Sequence, residues 1–207
     1  NVVGYIKVEI PAGLSLVSVP FETVGGGVHT LGSVFGDKLG DGSEIIMFTQ
    51  GVGYEIYIYY EDSDPEYAGW FKGAEKADTK AIDLGSGFWV RNNSGGAVTL
   101  VLRGQVPTAD RNVPLNVGLQ IVSYGYPSSA ELQTVEGLTP ADGDEIIAYQ
   151  PGVGFVIYIF YEDSDPQYHG WFLGPVKTDL MLEPGKAWWY RRASSNTVWT
   201  QRKNFSL

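Results

Sequence analysis

The 207-residue chain has no cysteine, only two histidines and two methionines, and far fewer basic than acidic side chains. Without cysteine it has no disulfide scaffold, no thiolate metal site and no cysteine nucleophile. His29 and His169 do not match each other in the repeat described below, and two such residues are too few for a histidine metal centre or a Ser-His-Asp triad. Lysine and arginine total 14 against 24 aspartates and glutamates, a net charge of −10. Both halves share the deficit, which rules out a basic footprint for nucleic acid or an anionic lipid surface. No apolar run approaches the roughly 20 residues of a membrane-spanning helix, so membrane insertion is not expected. Helix-length windows are also scarce, because 27 glycines and 11 prolines interrupt the chain. The best of them, residues 74–84, lacks a clear apolar stripe.

What the chain does have is a duplication. Asp41-Gly42 with Glu44-Ile45-Ile46 recurs as Asp142-Gly143 with Glu145-Ile146-Ile147, an offset of 101. The same offset carries Tyr60-Glu61-Asp62-Ser63-Asp64-Pro65 onto Tyr161-Glu162-Asp163-Ser164-Asp165-Pro166, and Gly69-Trp70-Phe71 onto Gly170-Trp171-Phe172. Across residues 41–73, 22 of 33 positions equal their mates, which chance does not produce. Upstream, Gly13-Leu14 maps to Gly118-Leu119 at an offset of 105. Four extra residues therefore lie in the first copy between Gly13 and Asp41, where Gly25-Gly26-Gly27 reads as a surface loop. Downstream the offset is 100, from Phe88-Trp89-Val90-Arg91 to Trp188-Trp189-Tyr190-Arg191.

Period-two alternation, as in Ile6, Val8 and Ile10, predicts strands near 4–10, 14–19, 44–49, 54–60, 68–72 or 86–91, and 97–103, with equivalents in the second copy. Gly51-Val52-Gly53 reads as a hairpin or bulge. The expected fold is all-β: two homologous β-sandwich or barrel-like repeats of about 100 residues in pseudo-twofold tandem, residues 1–107 and 108–207. The connector Val106–Asp110 is short and polar, which predicts halves that pack together.

Val3-Gly4-Tyr5 with Pro11-Ala12-Gly13, Asp41-Gly42, Gly69-Trp70 and the closing Gly85-Ser86-Gly87-Phe88-Trp89-Val90-Arg91-Asn92 carry a resemblance. Over nearly its whole length the chain is similar to secreted bacterial tandem-repeat all-β proteins of unknown function. The second copy departs from the closing motif at Ala187. The resemblance implies a secreted or surface-displayed protein and brings no activity or catalytic residues. The chain begins at Asn1, which suits a mature form after leader removal or a trimmed sequence. The sequons at Asn92 and Asn204 are read as chance.

In the 54–60 strand, Tyr54, Ile56, Ile58 and Tyr60 share one face, which is assigned to the core. Glu55, Tyr57 and Tyr59 share the other, with Val156, Tyr158 and Phe160 as mates. That aromatic face is either covered by the partner copy or loops, or an open platform for sugar rings. On the platform reading, Tyr57, Tyr59, Trp70, Tyr158, Trp171 and Trp188 bind the ligand, a polysaccharide. Matched tryptophans more often fill cores; Trp188 and Trp199 lack Trp mates and would mark a patch of the second copy if exposed. Arg91 and Arg191 are expected to stack on a ring or pair with a carboxylate.

The acidic string also has two readings. Asp64-Pro65 fits the opening of a type I turn. Alternatively Glu61, Asp62 and Asp64, repeated as Glu162, Asp163 and Asp165, bring hard oxygen ligands to calcium, the one cofactor to consider. A glycosidase pair needs carboxylates facing across a cleft, which spacing alone does not supply. The expected function is therefore non-enzymatic: adhesion, surface architecture or glycan binding, with a polysaccharide or surface protein as partner. The alternative is a carbohydrate-active enzyme or accessory domain using the acidic loops.

Overall fold

A computed structural model describes residues 2–206. Strands hold 48% of the chain and helix 2%, so the protein is all-β. The first repeat contains β1 (Val3–Ile10), β2 (Gly13–Ser18), β3 (His29–Thr30), β4 (Glu44–Thr49), β5 (Gly53–Tyr60), β6 (Gly69–Lys72), β7 (Glu75–Lys76), β8 (Ala81–Ile82), β9 (Gly87–Asn92) and β10 (Val98–Gln105). One short helix, α1 (Leu31–Val34), follows β3 and is capped by Thr30 and Ser33. The second repeat contains β11 (Arg111–Leu115), β12 (Gly118–Val122), β13 (Ala130–Glu131), β14 (Glu145–Gln150), β15 (Gly154–Tyr161), β16 (Gly170–Leu173), β17 (Val176–Lys177), β18 (Met181–Leu182), β19 (Trp188–Arg192) and β20 (Thr197–Gln201). Both alternatives for the fifth expected strand, near 68–72 and near 86–91, are strands.

Each repeat is built on one six-stranded antiparallel sheet, in the order β2-β9-β4-β5-β6-β7 and its mate β12-β19-β14-β15-β16-β17. Across one face of each sheet lies a strand pair, β1–β10 or β11–β20, with the small pairs β3–β8 and β13–β18. The first core draws its buried side chains from residues 8–106 and the second from residues 115–199. Gly51-Val52-Gly53 is the β4–β5 hairpin, with Val52 N–H donating to the Thr49 carbonyl at 3.0 Å. Gly51 and Gly53 have φ of 79° and 113°, a region that glycine enters without a Cβ clash.

The alternation in β5 is as expected, but its assignment to inside and outside is reversed. Tyr57 and Tyr59 point into the core at 2% and 8% exposure, while Tyr54, Ile56 and Tyr60 are exposed. The second repeat repeats this, with Tyr158 and Phe160 inside and Phe155, Ile157 and Tyr161 outside. The reason is that both faces of the sheet are apolar, one packed on its own repeat and part of the other on the opposite sheet. Polarity therefore does not mark which face is buried.

The outer faces meet around Leu16, Trp89, Ala187 and Trp189, with Ile46, Phe48, Ile121, Ile147 and Tyr149 against them. Phe48 packs edge-on against Trp189 at 4.9 Å, and its mate Tyr149 packs against Trp89 at 5.0 Å. This reciprocity marks a pseudo-twofold interface. Val17 and Lys186 form a bridge across it, and Ser18 N–H donates to the Gly185 carbonyl at 2.9 Å. Gly87 and Ala187, mates in the repeat, meet each other: a Cβ on Gly87 would lie 2.6 Å from the Ala187 Cβ and closer still to Ile121. Where the two copies touch, one position must be glycine.

Gly87→Ala is therefore expected to destabilise the protein by about 1–3 kcal/mol through overpacking. Gly87→Ala/Ala187→Gly is expected to recover part of the loss, since the Ile121 contact remains; urea unfolding midpoints check both.

Candidate functional site

The six residues expected to form an aromatic platform are all buried: Tyr57, Tyr59, Trp70, Tyr158, Trp171 and Trp188. This corrects the platform reading, because a ring must be exposed to stack on a sugar. Trp70 packs on Phe35 and Tyr59, and its indole N–H donates to the Gly36 carbonyl at 3.1 Å. Trp188 is not a patch of the second copy. It stands where Phe88 stands, in a core whose counterpart to Phe35 is Glu136, so the larger ring replaces lost volume. Trp199 is buried too, opposite Val113, which makes it the counterpart of Leu100 and not of Thr99.

The acidic strings are turns in both repeats. Asp62 Oδ1 accepts from Asp64 N–H at 2.8 Å and Asp64 Oδ1 from Glu66 N–H at 2.9 Å. The Asp64 carbonyl accepts from Tyr67 N–H at 3.0 Å. Asp163 and Asp165 repeat these bonds, and Glu61 and Glu162 donate their N–H groups to Asp41 and Asp142. The calcium assignment to Glu61, Asp62, Asp64, Glu162, Asp163 and Asp165 is corrected accordingly: among the described residues, no three His, Asp or Glu side chains are grouped to hold a metal. Local backbone N–H groups engage the aspartate oxygens and separate them. Arg91 and Arg191 pair with Glu44 and Glu145 across β9–β4 and β19–β14, as one of their two readings expects.

Sequence reading missed a buried ionic cluster in the second repeat. Asp144 is fully buried and accepts from Tyr190 O–H at 2.6 Å, Arg192 at 2.5 Å, and the N–H groups of Ala141 and Ala193 at 3.0 and 2.8 Å. Burial, then the Asp144 hydrogen bond, pushes the Tyr190 hydroxyl far above its ordinary pKa. The mates are Ser43, Val90 and Asn92, a neutral network: the Ser43 hydroxyl donates to the Leu39 carbonyl at 2.5 Å, and Asn92 to the Ile10 and Gly96 carbonyls. Asn92, first residue of a sequon, is thus itself buried. The Ser43/Asp144 difference is legible in the aligned motifs, but its burial is not. Closed off from solvent, the cluster is structural.

The feature that could receive a ligand is a groove of about 1060 Å³ on the first repeat. Its floor and walls come from β1, β10, α1 and the loop before β3, with Val19, Val34 and Leu102 deepest and Val3, Val24, Val28 and Val101 at the rim. Polar groups enter from Thr23, His29, Ser33, Lys38 and Arg103; among the described residues, no carboxylate lines it. His29 donates its Nε2–H to the Phe21 carbonyl at 3.0 Å, and burial lowers its pKa.

The inserted residues frame this groove. The offset is 105 at Phe21/Tyr126 and 101 at His29/Ala130, since β3 pairs with β8 as β13 pairs with β18. The four extra residues therefore fall between Phe21 and His29. The loop docks on β10 by reciprocal hydrogen bonds between Glu22 and Gln105, at 2.9 and 2.8 Å. Gly104 permits this, because a Cβ there would strike the Glu22 carbonyl oxygen.

The same place in the second repeat holds a pocket of only about 210 Å³, lined by Tyr124, Ala130, Glu131, Thr134, Val135, Glu136, Arg202, Lys203 and Asn204. Tyr124 replaces Val19 and fills the space, stacking on Trp199 and donating its hydroxyl to the Arg202 carbonyl at 2.6 Å. Desolvation raises the Tyr124 pKa to about 12. No family model, curated protein or solved structure matches the chain.

Asp144→Ser leaves Arg192 buried without its partner and is expected to destabilise by about 3–5 kcal/mol. Asp144→Ser/Tyr190→Val/Arg192→Asn imports the first repeat's neutral set and is expected to recover most of that loss, read from denaturant unfolding.

Proposed function

We propose that the protein is a non-enzymatic, exported or cell-surface binding module: a rigid two-repeat frame that presents one ligand groove on its first repeat. The observation that carries this reading is the contrast between equivalent places in the two copies, about 1060 Å³ in one and about 210 Å³ in the other. A cleft of that size, mostly apolar with a few convergent polar groups, has the character of a small-ligand site. The enzyme alternative has less support. The groove has no carboxylate in its lining, and the acidic loops hold their own turns. Export and surface display rest on the resemblance and on the cysteine-free, acidic, aromatic-rich composition.

An adhesive use has one observation in its favour. Tyr54, Ile56 and Tyr60, with Phe155, Ile157 and Tyr161, leave apolar ladders exposed at corresponding places on both repeats, where a surface protein could dock.

The test is amide NMR of the labelled chain against a fragment library. Perturbed amides are expected to cluster at Val19, Thr23, His29 and Gly104, and to be absent at the corresponding Tyr124, Ala130 and Lys203. Perturbations equal in both repeats, or none at the groove, contradict the reading.

A further inference from the structure

We infer that the first-repeat groove takes a small acidic amphiphile, an unbranched apolar body ending in an anionic head such as a carboxylate. The inference rests on the binding reading and names its ligand class. The apolar body follows from the lining: Val3, Val19, Val28, Val34, Val101 and Leu102 supply branched aliphatic walls along β1, β10, α1 and the inserted loop. Covering Val3, Val28 and Val101, now exposed at the rim, removes apolar surface from water and favours association.

The anionic head follows from charge, with the second repeat as an internal control. There, Arg202 reaches Asp110 at 3.6 Å and Glu136 at 3.7 Å. Strand register makes Arg103 the counterpart of Arg202 and Tyr5 the counterpart of Asp110, while Phe35 stands in the place of Glu136. The copy that carries the groove thus has the arginine and neither of the acids that pair with it in the other copy. Arg103 lies opposite Tyr5 and makes no ion pair among the described residues. Lys38, the second cation of the lining, donates to the carbonyls of Val34 and Phe35 at the end of α1, at 3.4 and 3.3 Å, and makes no ion pair among the described residues. In a chain of net charge −10, a groove with two cations, no carboxylate and apolar walls is complementary to an anion carried on a hydrocarbon.

Calorimetric titration below the micelle concentration with dodecanoate, dodecanol and dodecyltrimethylammonium tests this, with amide NMR locating each ligand. Dodecanoate is expected to bind one site at the groove, at least tenfold more tightly than the cationic chain. Arg103→Glu and Lys38→Glu alter exposed charged residues and leave the apolar walls intact; they are expected to weaken dodecanoate at least tenfold while leaving dodecanol within about twofold. Val19→Tyr, which imports the side chain of Tyr124, is expected to abolish binding of both. Should that variant fail to fold, the two charge variants decide. Equal affinity for all three head groups, or full dodecanoate affinity in Arg103→Glu, overturns the inference. If library fragments occupy the groove and dodecanoate does not, the ligand class is wrong and the binding reading stands; if nothing occupies the groove, both fall.

Discussion

The reciprocal packing of Phe48 on Trp189 and Tyr149 on Trp89 is the contact on which the rest of the structure depends. Each six-stranded sheet has two apolar faces, and a sheet cannot leave both in water. One face closes over its own core; part of the other closes over the other copy. Because the seam is built from mates, the two repeats take a pseudo-twofold relation and expose corresponding surfaces. Hydrogen bonds add register to this non-directional contact: the Val17–Lys186 bridge, and the hydroxyls of Ser18 and Ser123 donating to the carbonyls of Lys186 and Gly85, fix how the edges sit.

Within that frame the copies have diverged where symmetry imposes no constraint, and in one place where it does. Gly87 and Ala187 differ because they meet each other near the axis. Away from it, Ser43 and Asn92 form a neutral network where Asp144 and Arg192 form an ionic one, two solutions to the requirement that buried polar groups be bonded. Phe35 with Phe88 becomes Glu136 with Trp188, keeping the core filled. The largest divergence is at the groove: a four-residue insertion frames it, and Val19 in place of Tyr124 opens it. Arg111 shows how an apolar packing position in one copy becomes a hydrogen-bonded tie in the other. It stands where Ile6 stands, donates to Gln201 and to the Leu84 carbonyl, and burial lowers its pKa.

The strands, the duplication and the insertion loop were legible because each leaves a local mark: alternation, an offset, a run of glycines. The turns at Asp64-Pro65 and Asp165-Pro166 were legible for the same reason, since an aspartate bonding a nearby N–H is a short-range event. The inward direction of Tyr57 and Tyr59 was not, because a strand apolar on both faces carries no polarity signal. Nor was the role of Trp188, which depends on Phe35 being Glu136 in the other copy, 52 residues before it in sequence. The groove was hidden most completely. It arises from small side chains, Val19 and Gly104 among them, and from the absence of acids that the other repeat retains.

If the aromatic seam couples the repeats, differential scanning calorimetry of the intact chain tests it most directly. A single transition with equal calorimetric and van't Hoff enthalpies is predicted, splitting into two when Trp89→Ala and Trp189→Ala are combined. Two separate transitions in the unaltered protein would show that each repeat stands alone and would contradict the coupling.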